Sequence, residues 1–335
     1  MTPAFADPAA DARTLHVVSP DALADWLAAA PAHWREWLVA SGFEAGLGET
    51  RLLPAPDGTV AAAVAGFGSD KARRRQRFGL ARAAAALPAG NWRIEGDLTP
   101  AQRDEAALSF LLSGYRFDRY RKSDPKPAAR LVCPEGCDAP RLLAMAEAEF
   151  LTRDLINTPA ADMGPQELEE AFLSLATRFG AATQVIRGDD LLAQNFPMVH
   201  AVGRASPRAP RIMEMRWGDA GPRLTLVGKG VCFDTGGLNL KPSSGMNLMK
   251  KDMGGAATVL GLAQMIMELR LPLRRPLLLR AMEAQDGGSG PLEMVFGGIG
   301  RLADHLHIRM GRQQFPELLA GQPFVIDEQG FHGTI

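Results

Sequence analysis

Cysteine is scarce in this 335-residue chain, with only three residues, at positions 133, 137 and 232. That number cannot build a disulfide framework and suits a reducing compartment, so cytoplasm is the expected location. Cys133 and Cys137 fall in CPEGC, but no second Cys or Cys/His pair follows at zinc-site spacing, and both are read as ordinary thiols. Net charge is also lacking. At −1 it creates no global field for nucleic acid or an acidic membrane surface, which makes nucleic acid an unexpected partner. The local exception is KARRRQR, Lys71 to Arg77, whose plainest reading is a solvated helix face or loop. Long apolar runs are missing too. The most apolar helical window, Ala256 to Leu269, is interrupted by Gln264 and Glu268 and is too short to span a bilayer. Asp7 and Asp11 stand where a signal peptide needs a basic and then an apolar stretch, so export is not expected.

What is present is ordinary globular composition, 46% hydrophobic and 22% charged, in a chain long enough for two cores. The expected fold class is α/β, with a small amino-terminal α/β domain over residues 1–125. A larger α/β domain over 126–335 should follow, built on a central mixed sheet with flanking helices. In the first, apolar runs such as LHVV and VAAAVAGF alternate with longer Ala-, Leu- and Trp-bearing stretches. RKSDPKPAAR, Arg121 to Arg130, cannot hold a helix through its two prolines and reads as a linker. Beyond it the spacing predicts helices over Ala139–Asn157, from Pro165 to Phe179 and over Asp189–Asn195, and a strand over Thr183–Ile186. RLTLVG, Arg223 to Gly228, and PLLLRAM, Pro276 to Met282, read as buried strands, with Gly254 to Leu269 as the helix of a crossover between them.

The chemistry is concentrated in VGKGVCFDTGGLNLKPSSGMNLMKKDMGGAA, Val227 to Ala257. Lys229, Asp234, Lys241 and Asp252 stand there among glycine-rich turns at the carboxyl end of a strand, the usual place for a site in an open α/β sheet. Taken alone, two lysines and two aspartates could equally form surface ion pairs. A phosphate cradle around Gly228-Lys229-Gly230 fails, because the earlier glycine and the following Ser/Thr of a P-loop are absent.

The spacing of Lys229, Asp234 in FDTGG, Lys241 and Asp252 in MKKDMGGAA resembles the signature of the leucyl (cytosol) aminopeptidase family. FLTRDLINTPAADMGP, Phe150 to Pro165, and MVHAVGRAS, Met198 to Ser206, are similar to it as well, so the likeness runs from about residue 115 to about Glu283. It implies a two-metal aminopeptidase, with Zn²⁺ or Mn²⁺, that removes leucine-like first residues from peptides with a free amino terminus. It implies Lys229, Asp234 and Asp252 as metal ligands, with Asp234 bridging to the second ion. A lysine ligand coordinates only as the neutral amine, a form that partial burial and a neighbouring dication favour. Lys241 would remain cationic and stabilise charge developing on the scissile carbonyl oxygen. A homo-hexamer is implied too.

After Glu283 the likeness ends. The family's Asn-Thr-Asp-Ala-Glu-Gly-Arg, whose Asp and Glu complete both metal sites and whose Arg helps hold a bicarbonate-like base, has no counterpart. No Asp-x-Glu-x-Arg occurs between Met253 and Ile335. Two dications bring four positive charges, against which Asp234 and Asp252 supply two negative ones. One metal or none is therefore expected, unless Glu283, Asp286, His305 or His307 substitutes. The expectation for the tail is a frameshifted, truncated or rearranged gene. The alternative to an active enzyme is an inactive relative, or truncated product, serving as a binding or assembly subunit.

Overall fold

The computed structural model describes residues 2–121, 128–219, 223–233, 242–271, 275–282 and 324–326. The linker expected at Arg121–Arg130 falls mostly on 122–127, outside the described residues. The chain divides into two compact units, Met1–Glu147 and Ala148–Ile335.

The first unit contains strands β1 (Arg13–Val18), β2 (Thr50–Pro54), β3 (Val60–Gly66), β4 (Gly90–Glu95) and β5 (Ala129–Leu131). Its helices are α1 (Leu23–Ala29), α2 (Ala32–Ala40), α3 (Asp70–Arg75), α4 (Leu80–Ala86) and α5 (Pro100–Ser113). The sheet order is β2-β3-β1-β4-β5, parallel except for β2, which runs antiparallel to β3. Period-2 alternation along β1 and β3 explains why both faces are covered. Leu15, Val17, Ala63 and Ala65 pack with Leu80, Trp92, Ala107 and Phe110, whereas Val18, Ala62 and Val64 pack with Leu38, Trp26 and Trp34. Helix α5 starts at a capping box, Thr99 with Gln102, and has Pro100 in its first turn. The edge strand β2 is blunted from α2: the indole N–H groups of Trp34 and Trp37 donate to the Pro54 and Leu52 carbonyl oxygens at 2.9 and 3.1 Å.

Helix α6 (Ala139–Asn157) crosses the division between the units. The second unit continues with α7 (Pro165–Phe179), β6 (Ala182–Arg187), α8 (Asp190–Ala193), α9 (Pro197–Gly203), β7 (Arg211–Arg216) and β8 (Arg223–Lys229). Then come α10 (Ser243–Met246), α11 (Gly254–Glu268), β9 (Arg275–Met282) and β10 (Phe324–Ile326). The sheet order is β10-β8-β9-β7-β6. β8 and β9 are parallel and joined through α11; β10, β7 and β6 each run antiparallel to their neighbours, so the sheet is mixed, as expected. Helix α7 sets Leu168, Phe172 and Leu175 against Met213, Met215, Leu226 and the α11 residues Ala257, Leu260 and Ile266. Its first turn is fixed by Glu167, whose carboxylate accepts the Gly164 N–H at 2.8 Å, and its end by Gly180 at φ +66°. The helix expected over Asp189–Asn195 is shorter because Asn195 takes φ +62°, a left-handed conformation that no α-helix continues through.

Candidate metal centre

Strand β8 alternates between its faces until it reaches glycine. Leu224 and Leu226 lie in the core with α11, and Gly228 stands two residues on. A Cβ at Gly228 would lie 2.7 Å from Ala256 Cα and 2.8 Å from the Gly255 carbonyl oxygen. Only glycine allows the first turn of α11 to rest on the strand end at this distance.

This approach carries Asp252, just ahead of the α11 start, to the next residue of the strand, Lys229. The Lys229 Nζ and the Asp252 Oδ2 are 3.4 Å apart, with about a third of each side chain exposed. The Asp252 carboxylate also stands at the positive end of the 15-residue helix α11, where backbone dipoles favour negative charge. α11 is anchored from its other side by Thr152 on α6, whose hydroxyl donates to the Ala257 carbonyl oxygen at 3.3 Å. After Lys229 the chain turns inward: Val231 and Cys232 are buried, and Phe233 emerges half-exposed.

Of the four site residues expected from sequence, the structure brings Lys229 and Asp252 together; Asp234 and Lys241 lie outside the described residues. So do the possible substitutes Glu283, Asp286, His305 and His307. Among the described residues no group of three or more His, Cys, Asp or Glu side chains is arranged to hold a metal ion. The chemistry of the described pair fits a dication. Two donors each about 2.1 Å from one ion at the tetrahedral angle stand about 3.4 Å apart. The Lys229–Asp252 separation is of that size, which is also that of an ordinary ion pair.

Sequence reading overlooked a buried charged cluster in the same unit. Glu169 on α7 is 6% exposed and receives hydrogen bonds from Arg187, at the end of β6, and Arg211, at the start of β7. The Arg187 hydrogen bonds hold the Glu169 carboxyl below the usual carboxylate range against the opposing effect of burial, and Arg211 adds to this. The available signal was a carboxylate between Leu168 and Phe172 on the apolar stripe of an amphipathic helix. Within the basic run at Lys71–Arg77, Arg73 pairs with Asp70 and lies over the Phe67 ring, Arg77 pairs with Glu105 at 2.7 Å, and Lys71, Arg74 and Arg75 are exposed.

Comparison with known proteins follows the same division of the chain. Residues 150–290 match the model of the cytosol aminopeptidase family, catalytic domain, and residues 14–134 match that of the M17 aminopeptidase, N-terminal domain. A probable cytosol aminopeptidase of Leifsonia xyli subsp. xyli is 34% identical over 296 residues, covering 82% of this chain and 56% of the relative. One from Roseiflexus castenholzii is 40% identical over 196 residues, covering 53% and 40%. Among solved structures, cytosol aminopeptidase from Coxiella burnetii superposes with a TM-score of 0.72 at 39% identity, covering 83% of this chain and 60% of that one. The bottromycin maturation enzyme BotP, in complex with Mn, gives 0.67 at 31% identity, covering 84% and 61%. The chain spans about half the length of the curated relatives it matches.

Proposed function

This chain belongs to the cytosol aminopeptidase family, and from that premise we propose that it binds a divalent metal, Mn²⁺ or Zn²⁺, and removes leucine-like first residues from peptides. The observation that carries the reading is the Lys229–Asp252 pair, two residues distant in sequence that face one another at 3.4 Å at the end of β8. Lys229, Asp234 and Asp252 would hold the ion, Lys229 as neutral amine. When bound, such an ion supplies Lewis acidity toward a carbonyl oxygen and makes water a competent nucleophile at neutral pH. Asp252 would also accept the substrate's free amino group, which limits cleavage to the first peptide bond. Lys241, kept cationic, would stabilise the negative charge gathering on the carbonyl oxygen. The proposal places the protein in the cytoplasm as a homo-oligomer, hexameric by family likeness; among the described residues no helix is long and apolar enough to cross a membrane.

Purified chain titrated with Mn²⁺ and Zn²⁺ by calorimetry, then assayed for leucine release from leucyl amide, tests this. Binding and release are expected, with Lys229→Met and Asp252→Asn each weakening metal binding at least about tenfold. Because the pair is partly exposed, each change should cost no more than about 1 kcal/mol of stability. Unchanged metal affinity in both folded variants would remove these residues from the site. A second reading, an inactive relative acting as a binding or assembly subunit, is favoured by the absence of Asp-x-Glu-x-Arg after Met253. It predicts metal uptake without leucine release.

A further inference from the structure

Helix α11 rests on β8 at Gly228, and a second contact, with α6, fixes it along its own axis. A Cβ at Gly261 would overlap the Thr152 Oγ1 and stand 2.7 Å from the Ala148 carbonyl oxygen, so only a residue without a side chain lets α11 come this close to α6. One turn earlier on α11, the Ala257 carbonyl oxygen accepts from the Thr152 hydroxyl at 3.3 Å. The same hydroxyl lies 3.0 Å from the Ala148 carbonyl oxygen, one turn back in its own helix. One turn further along α6, Ile156 reaches the start of α11: a Cβ at Gly254 would lie 3.5 Å from the Ile156 Cδ1. Ala148, Thr152 and Ile156 thus meet Gly261, Ala257 and Gly254 in an antiparallel register, turn by turn.

Apolar contact is non-directional and lets one helix slide on another, whereas a hydroxyl bonded to a backbone carbonyl fixes the setting. That setting reaches the Lys229–Asp252 pair. The Ala257 N–H donates to the Met253 carbonyl oxygen at 3.0 Å, and Asp252 itself holds helical backbone angles, φ −63° and ψ −21°. The start of α11 and Asp252 therefore move together. A shift of about 1.5 Å, the rise of one helical residue, is enough to part a 3.4 Å ion pair.

We propose that Thr152 and Gly261 are positioning residues for the metal centre: the hydroxyl and the glycine together set α11 on α6 and so hold Asp252 against Lys229. The inference rests on the metal-binding reading of that pair. Both residues act through α11 and not by ligation.

Crystal structures of the metal-free chain and calorimetric titration with Mn²⁺ test this. Gly261→Ala and Thr152→Val should each lengthen the Lys229–Asp252 contact beyond about 4 Å and weaken Mn²⁺ binding at least about tenfold. Thr152→Ser, which keeps the hydroxyl, should retain both contact and affinity. Leu191→Ala, which opens the separate cluster of Ile186, Val199 and Ile212, should lose stability at unchanged affinity. Unaltered contact and affinity in folded Gly261→Ala and Thr152→Val would overturn the inference, and so would an equal loss of affinity in Leu191→Ala or Thr152→Ser. If the unsubstituted chain takes up no Mn²⁺ while the contact still parts in these variants, the metal reading fails and the positioning of Asp252 stands. Thr152→Val and Thr152→Ser decide the matter if Gly261→Ala does not fold.

Discussion

His16 shows how one residue can give a unit a pH limit. It projects from β1 toward Trp26 on α1 and Trp34 on α2, with ring centroids 5.3 and 6.0 Å away, and Glu95, 3.8 Å distant on β4, brings charge to it. Burial lowers its affinity for a proton below the ordinary value of 6.5, and Glu95 opposes this incompletely. The folded unit thus keeps His16 neutral at pH values where the unfolded chain takes up a proton. The resulting stability is fully present above about pH 6.5 and is lost as pH falls toward the lowered folded value. Denaturant melts followed by tryptophan fluorescence should show a midpoint that declines from pH 7 to pH 5. His16→Phe should flatten that decline, and an equally steep decline in the variant would show that another group sets it. The site residues behave differently at this scale. The four-residue spacing pattern marked Lys229 and Asp252 in the sequence, but the exposure of the pair and its 3.4 Å contact depend on a strand and a helix start that spacing cannot position.

Elements meet in this protein where glycine or a buried charge lets them. Gly228→Ala would drive a methyl into the backbone of α11 at 2.7 Å, and backbone cannot rotate away as a side chain can. Overpacking of this kind costs about 1 to 3 kcal/mol. The helix start should move off β8, so metal affinity should fall along with the melting temperature, although neither proposed ligand is touched. Intact affinity in a destabilised variant would show that the approach serves packing alone. The Glu169 cluster joins α7 to β6 and β7 through charge. Glu169→Ala leaves Arg211, 9% exposed, without its carboxylate partner, held only by the Ala209 carbonyl oxygen among the described residues, and should cost about 3 to 5 kcal/mol in chemical denaturation. Since Arg187 and Arg211 hold the carboxyl below its usual range, its stabilisation is present at neutral pH and is lost as pH falls below that range through the lowered folded value. The crossover from β8 through α11 to β9 was legible in the sequence because both strands are continuous apolar runs and the helix has few polar interruptions. Helix α8 was not legible to its end, since the left-handed turn at Asn195 leaves no trace in hydrophobic period. The Glu169 cluster was hidden because its arginines lie 18 and 42 residues away from it.

At the scale of the molecule the question is how much positive charge the second unit can hold. Its family membership was readable from one 31-residue stretch, in which Lys229, Asp234, Lys241 and Asp252 stand at the family's spacing among glycines. Whether acids from elsewhere in the chain join them was not readable, since convergence in space is not written as spacing. If Lys229, Asp234 and Asp252 hold the ion as proposed, the two carboxylates balance one dication and a second would add two uncompensated charges. Native mass spectrometry of chain dialysed against Mn²⁺ should therefore show one ion per chain. Chelation should remove it and lower the melting temperature by an amount that grows with the free metal concentration restored, as expected for a ligand bound only to the folded state. Two tightly retained ions per chain would mean that further acids, such as Glu283 or Asp286, reach the site and complete its charge.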